Sequence, residues 1–388
     1  MDILRKILRW IFRFVFFIAI LIAVLWASVK YVTDHNQNLV ETQKEIAITL
    51  ENPKKIKFEW QYNGKTYSIE ETFYGSLFNF YSTSPKAYTY QGEQPANWEK
   101  DYYAMFLKRT KSDDSISKIA VDIQNLGTQK KLSSDQIVEL ALAFVQSIPY
   151  DNARAEKILS GMGETNYPYE TLYEGKGVCS DKSFLFANLL SEMGYGASLL
   201  AYDSERHMAV GIQCPKEYSS YDSGYCYAET TSSGFRIGMI PDIDPKEGSA
   251  VPMEKKNYSV ESEVSQFDAT KLGEPKVFSV SSGKTYEGIA TSLSLAKKID
   301  TLNQEINTLG KNLNAQKNDI ASDENKLLEL EKKLKKLEKK GDYEEYNDIV
   351  DDYNDLLKKY KKKIKTYNEQ VDSYNQKVNY YNSLVKSF

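Results

Sequence analysis

A chain of 388 residues is long enough for two or more domains, and 41% hydrophobic with 27% charged residues is the balance of a globular protein carrying a polar appendage. A formal net charge of −4 gives no basic footprint, which excludes nucleic acid as a partner. Three cysteines are too few for a disulfide framework, yet they suit one bridge plus one free thiol in an exported chain.

Arg5, Lys6, Arg9 and Arg13 precede or enter an apolar stretch that has no charge from Phe14 to Val29. Residues 7–29 are long enough to cross a bilayer if Arg13 snorkels, and the positive flank puts the N-terminus in the cytoplasm. The competing reading is a cleaved signal peptide with a weak site at Ala27-Ser28. Domain 1–33 is therefore expected to be a cytoplasmic tail and single-pass signal anchor, with the bulk of the chain outside the cell membrane. His35 has no evident partner, and residues from 34 to 53 read as a polar helical stalk.

Region 34–113 is otherwise aromatic and strand-like. Lys57 to Tyr62 alternates in period two, and Asn63-Gly64 is a two-residue hairpin signal leading into Thr66 to Ile69. Phe73, Phe78, Phe80 and Tyr81 read as core. Helices are expected near Ile116–Leu126 and Asp135–Ile148, the second with Ser133 and Gln136 as a capping box and Pro149 as its stop.

The organising stretch runs from Tyr167 to Gly194. Gly175 and Gly177 permit a tight turn, Ser180 and Asp181 are expected to cap a helix, and Phe184, Leu185, Ala187, Leu189 and Leu190 form its buried stripe. Cys179 then sits at a helix N-terminus, where the dipole and unpaired N–H groups favour a thiolate and hold an oxyanion. His207 opens the strand-like run His207–Gln213, and the run Tyr225 to Thr231 supplies the Glu229 carboxylate. Cysteine, histidine and acid in that order form the set that activates a thiol through a positioned base. Because side chains alternate along a strand, Cys214 and Cys226 point away from His207 and Glu229. The two share the back of the sheet, as a disulfide or as two separate buried thiols.

Five ordered motifs carry a family resemblance: Phe144 to Tyr150, Tyr167 to Leu172, Gly177-Val178-Cys179, His207 to Gly211, and Glu229-Thr230-Thr231 with Gly234 to Gly238. Together they resemble the transglutaminase-like superfamily, in particular its microbial membrane-anchored or secreted branch. The resemblance implies a papain-like α+β core, with Cys179 as nucleophile, His207 as base and Glu229 in the place of the usual aspartate. It implies attack on a peptide or carboxamide carbonyl, in a cysteine peptidase or a cross-linking acyltransferase, on a protein or peptide substrate at the cell surface. Tyr169 and Tyr173 are candidates to help hold the oxyanion. Two departures stand out: Val178 and Ser180 flank the cysteine where many relatives have acids, and glutamate is one methylene longer than aspartate. The alternatives are a catalytically silent binding module and a surface scaffold.

The transglutaminase-like domain is expected over 114–245, followed by a linker over 246–290 that contains the lone sequon Asn257-Tyr258-Ser259. Asp242 and Asp244 read as a solvated turn, so no metal and no cofactor is expected. In domain 291–388, Leu295, Ile299, Leu302, Ile306, Leu309 and Leu313 begin a heptad seam that continues to Leu337. Gly341 breaks it, and a second seam alternates Tyr346, Tyr353, Tyr360, Tyr367, Tyr374 and Tyr381 with aliphatics, which accounts for part of the 29 tyrosines. The expectation is an antiparallel coiled-coil hairpin with room for a coiled-coil partner. Folding about Gly341 sets Gln316 opposite Tyr367 and Asp323 opposite Tyr360, so the phenols are expected to lock the register.

Overall fold

A computed structural model describes residues 20–28, 30, 47–244, 246, 248–251 and 270–386. Helix α1 covers residues 20–28. Among the described residues no helix is long and apolar enough to cross a membrane. The rest of segment 7–29, His35, most of the stalk and the sequon Asn257-Tyr258-Ser259 lie outside the described residues.

Strands β1 (Pro53–Tyr62) and β2 (Lys65–Tyr74) form the hairpin expected at Asn63-Gly64, with Tyr62 paired to Lys65. Both loop residues are left-handed, φ 49° and 67°, as the two-residue turn requires. One face of the hairpin buries Phe58, Trp60, Tyr62, Tyr67, Ile69 and Phe73. Short helices α2 (Gly75–Thr83) and α3 (Trp98–Phe106) follow, then α4 (Ser115–Gln129) and α5 (Ser134–Ser147). Ser133 accepts from Gln136 N–H while the Gln136 carboxamide accepts from Ser133 N–H, completing the capping box. Phe144 of α5 meets Phe58 and Trp60 edge-on, at centroid distances of 5.3 and 5.2 Å, and so fastens the hairpin to the domain.

Helices α6 (Asn152–Leu159) and α7 (Pro168–Glu174) lead to α8 (Cys179–Glu192), whose side chains from Asp181 to Leu190 are all buried. α8 packs on strands β3 (Ala197–Tyr202) and β4 (His207–Gln213) of an antiparallel sheet that includes β5 (Tyr225–Ala228). A small sheet of β6 (Asp242–Asp244), β7 (Ser249–Ala250) and β8 (Thr270–Lys271) follows. The stretch expected as linker then contributes β9 (Lys276–Ser281), which pairs with β3 and completes the order β5-β4-β3-β9. Its pairing partners lie 75 to 84 residues earlier in the chain, from Ala201 with Lys276 to Ala197 with Ser281, so local pattern alone does not reveal them.

The C-terminal helices α9 (Ile289–Lys340) and α10 (Tyr343–Lys386) pack against each other, joined at Gly341 with φ 75°. The 44 residues of α10 span about 66 Å at roughly 1.5 Å per residue. Ile299, Leu302, Ile306, Leu313, Leu327, Leu337, Tyr374 and Tyr381 are buried seam residues, but near the tip Ile349 is buried while Val350 is half-buried. The polar partners also differ from expectation. Gln316 donates to Gln370 at 2.7 Å, and Lys363 bonds Asp323 at 2.6 Å, so neither Tyr367 nor Tyr360 supplies the lock. A flexible lysine stem can lie along a seam and bring its ammonium to a carboxylate, which a rigid phenol cannot do.

The root of the hairpin is tied to the domain through Glu139 of α5. That buried carboxylate accepts from Tyr62, from Tyr286 at 2.9 Å and from Ser292 at 2.7 Å, and it pairs with Arg236 at 3.3 Å. Seam residues Ile299 and Tyr381 share a cluster with Phe235, Met239 and Ile243, just beyond Glu229.

Candidate active site

The loop before α8 is shaped by close approach. Gly177 N–H donates to Pro149 O at 3.0 Å, Asp151 N–H donates to Gly177 O at 3.2 Å, and a Cβ on Gly177 would meet Thr171 at 2.9 Å. Asp181, rather than Ser180, holds the helix start, accepting from Val178 N–H at 3.0 Å and Asn166 N–H at 2.8 Å beside the Arg154 guanidinium. Burial pushes its carboxyl up to about 6 against the pull of Arg154. Cys179 is thereby the first residue of a long buried helix, its side chain half-buried, and it is the one free cysteine.

His207 is paired with Tyr202 across the β3–β4 hairpin, and the left-handed Arg206, φ 51°, turns the chain into it. The ring contacts Cys179, whose sulfur lies 4.0 Å from Arg206 O. His207 Nε2 is 3.1 Å from Glu229 Oε2, and Nδ1 is 2.8 Å from Gly248 O. Glu229 is fully enclosed: Tyr227 donates to Oε2 at 2.6 Å, while Thr231 donates to Oε1 through its N–H at 2.7 Å and its hydroxyl at 2.6 Å.

The charges follow from these contacts. Burial alone would raise the Glu229 carboxyl, but the His207 charge and the bonds from His207, Thr231 and Tyr227 hold it down at about 2. Burial likewise opposes a charged His207, yet the Glu229 carboxylate and the bonds to Cys179 and Glu229 push it up to about 10. With an acceptor opposite each ring nitrogen, the group that fits at neutral pH is an imidazolium. An imidazolium against the sulfur, at a helix N-terminus, is the partner a thiolate nucleophile needs.

Tyr169 and Tyr173 are not brought to Cys179. The Tyr169 hydroxyl accepts from Tyr74 N–H at 2.6 Å and donates to Tyr74 O at 3.1 Å, pinning α7 to the end of β2. Tyr173 stacks on Phe78 under the Lys54 ammonium. The tyrosine at the sulfur is Tyr150, whose hydroxyl touches both the side chain and the backbone N–H of Cys179. Burial, and then the neighbouring charge of Cys179, drive its phenol far above the ordinary value, so it stays a proton donor. Its backbone is bridged to Gly177, which fixes it beside α8. Tyr150 closes the Phe144 to Tyr150 motif, just after the helix-ending Pro149, but proximity to the sulfur has no local signature. Tyr227 and Thr231 did have one, each being two residues from Glu229. Gly248 had none.

Cys214 and Cys226 are joined in a disulfide between the ends of β4 and β5, with Cα atoms 5.7 Å apart. Asp242 and Asp244 lie in β6, and among the described residues no His, Cys, Asp or Glu cluster could hold a metal ion.

A cysteine heads the buried helix α8, a histidine opens β4 and a glutamate follows β5 directly, and the three meet at one place. Residues 115–227 match the model of a family described as a transglutaminase-like domain. That stretch of the chain, under a third of it, is accordingly a transglutaminase-like domain, and it contains Tyr150, Cys179 and His207 but ends two residues before Glu229. No curated protein matches the chain.

Proposed function

We propose that the protein is a thiol acyl-transfer enzyme acting on peptide or carboxamide carbonyls, and the observation that carries this reading is His207 held between Glu229 and Cys179. The Cys179 thiolate attacks the carbonyl carbon, and the oxygen that gains the charge is met by the Cys179 N–H and the Tyr150 hydroxyl. The His207 imidazolium then gives its proton to the leaving amine as the C–N bond breaks, leaving a thioester on Cys179. Gly248 O, the acceptor opposite Nδ1, must share or yield that proton during transfer. In the second half His207, now neutral, takes a proton from the incoming water or amine, and the C–S bond breaks to regenerate the thiolate. Glu229 orients the ring in both halves and stabilises the imidazolium whenever His207 carries the proton.

The acceptor decides between a peptidase and a cross-linker. Incubating the protein with the surface proteins of its own cell, beside Cys179→Ala, and reading products by mass spectrometry tests the proposal. New hydrolysed termini or isopeptide links that the alanine variant does not make support it; identical product maps refute it. The chain is further proposed to be a single-pass surface protein with its N-terminus in the cytoplasm. The basic residues before segment 7–29 and the Cys214–Cys226 bridge favour this. Protease added to intact cells should remove the C-terminal part, and digestion only after lysis would reverse the topology.

A further inference from the structure

One buried charge beside the site has no part in the chemistry above. Lys182 lies one turn after Cys179 on α8 and is fully buried. Its ammonium donates to Ile148 O at 2.7 Å, Thr231 O at 3.1 Å and Gln146 O at 3.2 Å. Three converging carbonyls can all be served by the three N–H bonds of an ammonium, whereas a neutral amine would turn its lone pair on one of them. Gln146 lies in the last turn of α5 and Ile148 is its C-cap, so the ammonium sits at the end of the helix where acceptors are left unpaired and the dipole is negative. Burial pushes the Lys182 pKa down to about 7, the Glu229 carboxylate offsetting only part of that fall, so the ammonium is the form present on the acid side of neutrality, where the three carbonyls hold it.

Each carbonyl also belongs to a segment that carries part of the site. Ile148 is two residues before Tyr150. Thr231 clamps Glu229 Oε1, and Gln146 donates from its side chain to Glu229 O at 2.8 Å. One ammonium on the nucleophile's own helix therefore draws in the oxyanion donor from one side and the acid from the other. The charges add a second role. On the acid side of neutrality Glu229 is negative while His207 and Lys182 are positive, so this set carries one excess positive charge that a thiolate at Cys179 neutralises. Without Lys182, forming the thiolate would leave a net negative charge on a set whose Glu229 and His207 are fully buried and whose cysteine is only half-buried.

We propose that Lys182 is the positioning residue of this site: its buried ammonium fixes Tyr150 and Glu229 about Cys179 and supplies the counter-charge that lets the nucleophile ionise. The inference rests on the thiol-enzyme reading. Its test is the pH dependence of S-alkylation by iodoacetamide in the full-length chain, where Cys214 and Cys226 are bridged and Cys179 alone reacts. In Lys182→Met the acid limb should move up by about one pH unit or more and the rate near about pH 6 should fall about tenfold. Lys182→Arg, if folded, should restore the limb because it keeps charge and donors. A residue serving stability alone would lower the melting temperature and leave the limb in place, and that result in a folded Lys182→Met protein overturns the proposal. If neither variant folds, wild-type protein labelled with ¹⁵N-lysine should show a slowly exchanging ammonium signal at neutral pH that shifts when Cys179 is alkylated. Lack of such a signal overturns it as well. Slow labelling of the wild type, by contrast, would count against the enzyme reading itself.

Discussion

Replacing Glu229 with glutamine keeps the size of the side chain and removes the charge on which His207 depends. The amide oxygen can still accept from Thr231, whose two bonds to Oε1 are 2.7 and 2.6 Å long. Its NH₂ group then faces two donors, the Tyr227 hydroxyl and His207 Nε2–H, where the carboxylate had accepted from both at 2.6 and 3.1 Å. His207 can escape the clash only by losing its Nε2 proton, which leaves a neutral ring with Nδ1–H held by Gly248 O and no charge for the sulfur. Breaking a buried ion pair by removing one partner costs roughly 3–5 kcal/mol, and losing general acid–base function costs roughly 10²–10⁴ in rate. Glu229→Gln should therefore melt well below wild type and alkylate Cys179 slowly at neutral pH. The pH profile of wild-type stability carries the same signature. His207 stands at about 10, above its ordinary 6.5, so its contribution is complete below 6.5 and is lost as pH rises through about 10. Glu229 stands at about 2, below its ordinary 4.5, so its contribution is complete above 4.5 and is lost as pH falls through about 2. The assays are thermal melts and iodoacetamide labelling of both proteins across pH. A glutamine variant with wild-type labelling and an unchanged alkaline loss of stability would refute the reasoning.

Tyr150→Phe keeps the ring and removes one oxyanion donor, so turnover should fall by roughly 10²–10³ with nearly unchanged melting; unchanged turnover removes Tyr150 from the mechanism. Thiol titration of the unfolded, non-reduced chain should find one free thiol, and Cys214→Ala with Cys226→Ala should destabilise the protein by about 2–3 kcal/mol; three thiols would contradict the bridge. In the hairpin, Lys363→Met leaves Asp323 with only the longer Lys326 contact and should loosen the helix pair more than Tyr360→Phe does; hydrogen exchange of α9 and α10 in the full chain reads both, and equal effects would sink the assignment.

What could be read from the sequence was what local pattern encodes. Asn63-Gly64 gives the β1–β2 turn because its backbone needs two left-handed residues, and Ser133 with Gln136 announces α5 because the box is closed within one turn. The placement of Cys179 at the head of α8 followed from glycines before it and an apolar stripe after it. Contacts set by distant pairing were not readable in this way. β9 joins β3 across the 252–269 segment, and the Gly248 carbonyl reaches His207 from a hairpin 41 residues on. Lys182 has no local signature either, since only the three-dimensional convergence of Gln146, Ile148 and Thr231 gives its charge partners. The tyrosine at the site was mistaken for the same reason: Tyr169 and Tyr173 are nearer to Cys179 in the chain, but the bridge between Tyr150 and Gly177 brings the right one closer in space.

The central claim is that Cys179 is a nucleophile activated by His207, and the rate of its alkylation by iodoacetamide as a function of pH, in wild type and His207→Ala, tests it most directly. The account predicts labelling of the wild type that is about tenfold or more faster than a free thiol near about pH 6, sustained until the imidazolium is lost near about 10, and abolished as a separate phase in His207→Ala. Labelling that simply rises with pH around the ordinary thiol value of about 8.5, and is the same in both proteins, would contradict it.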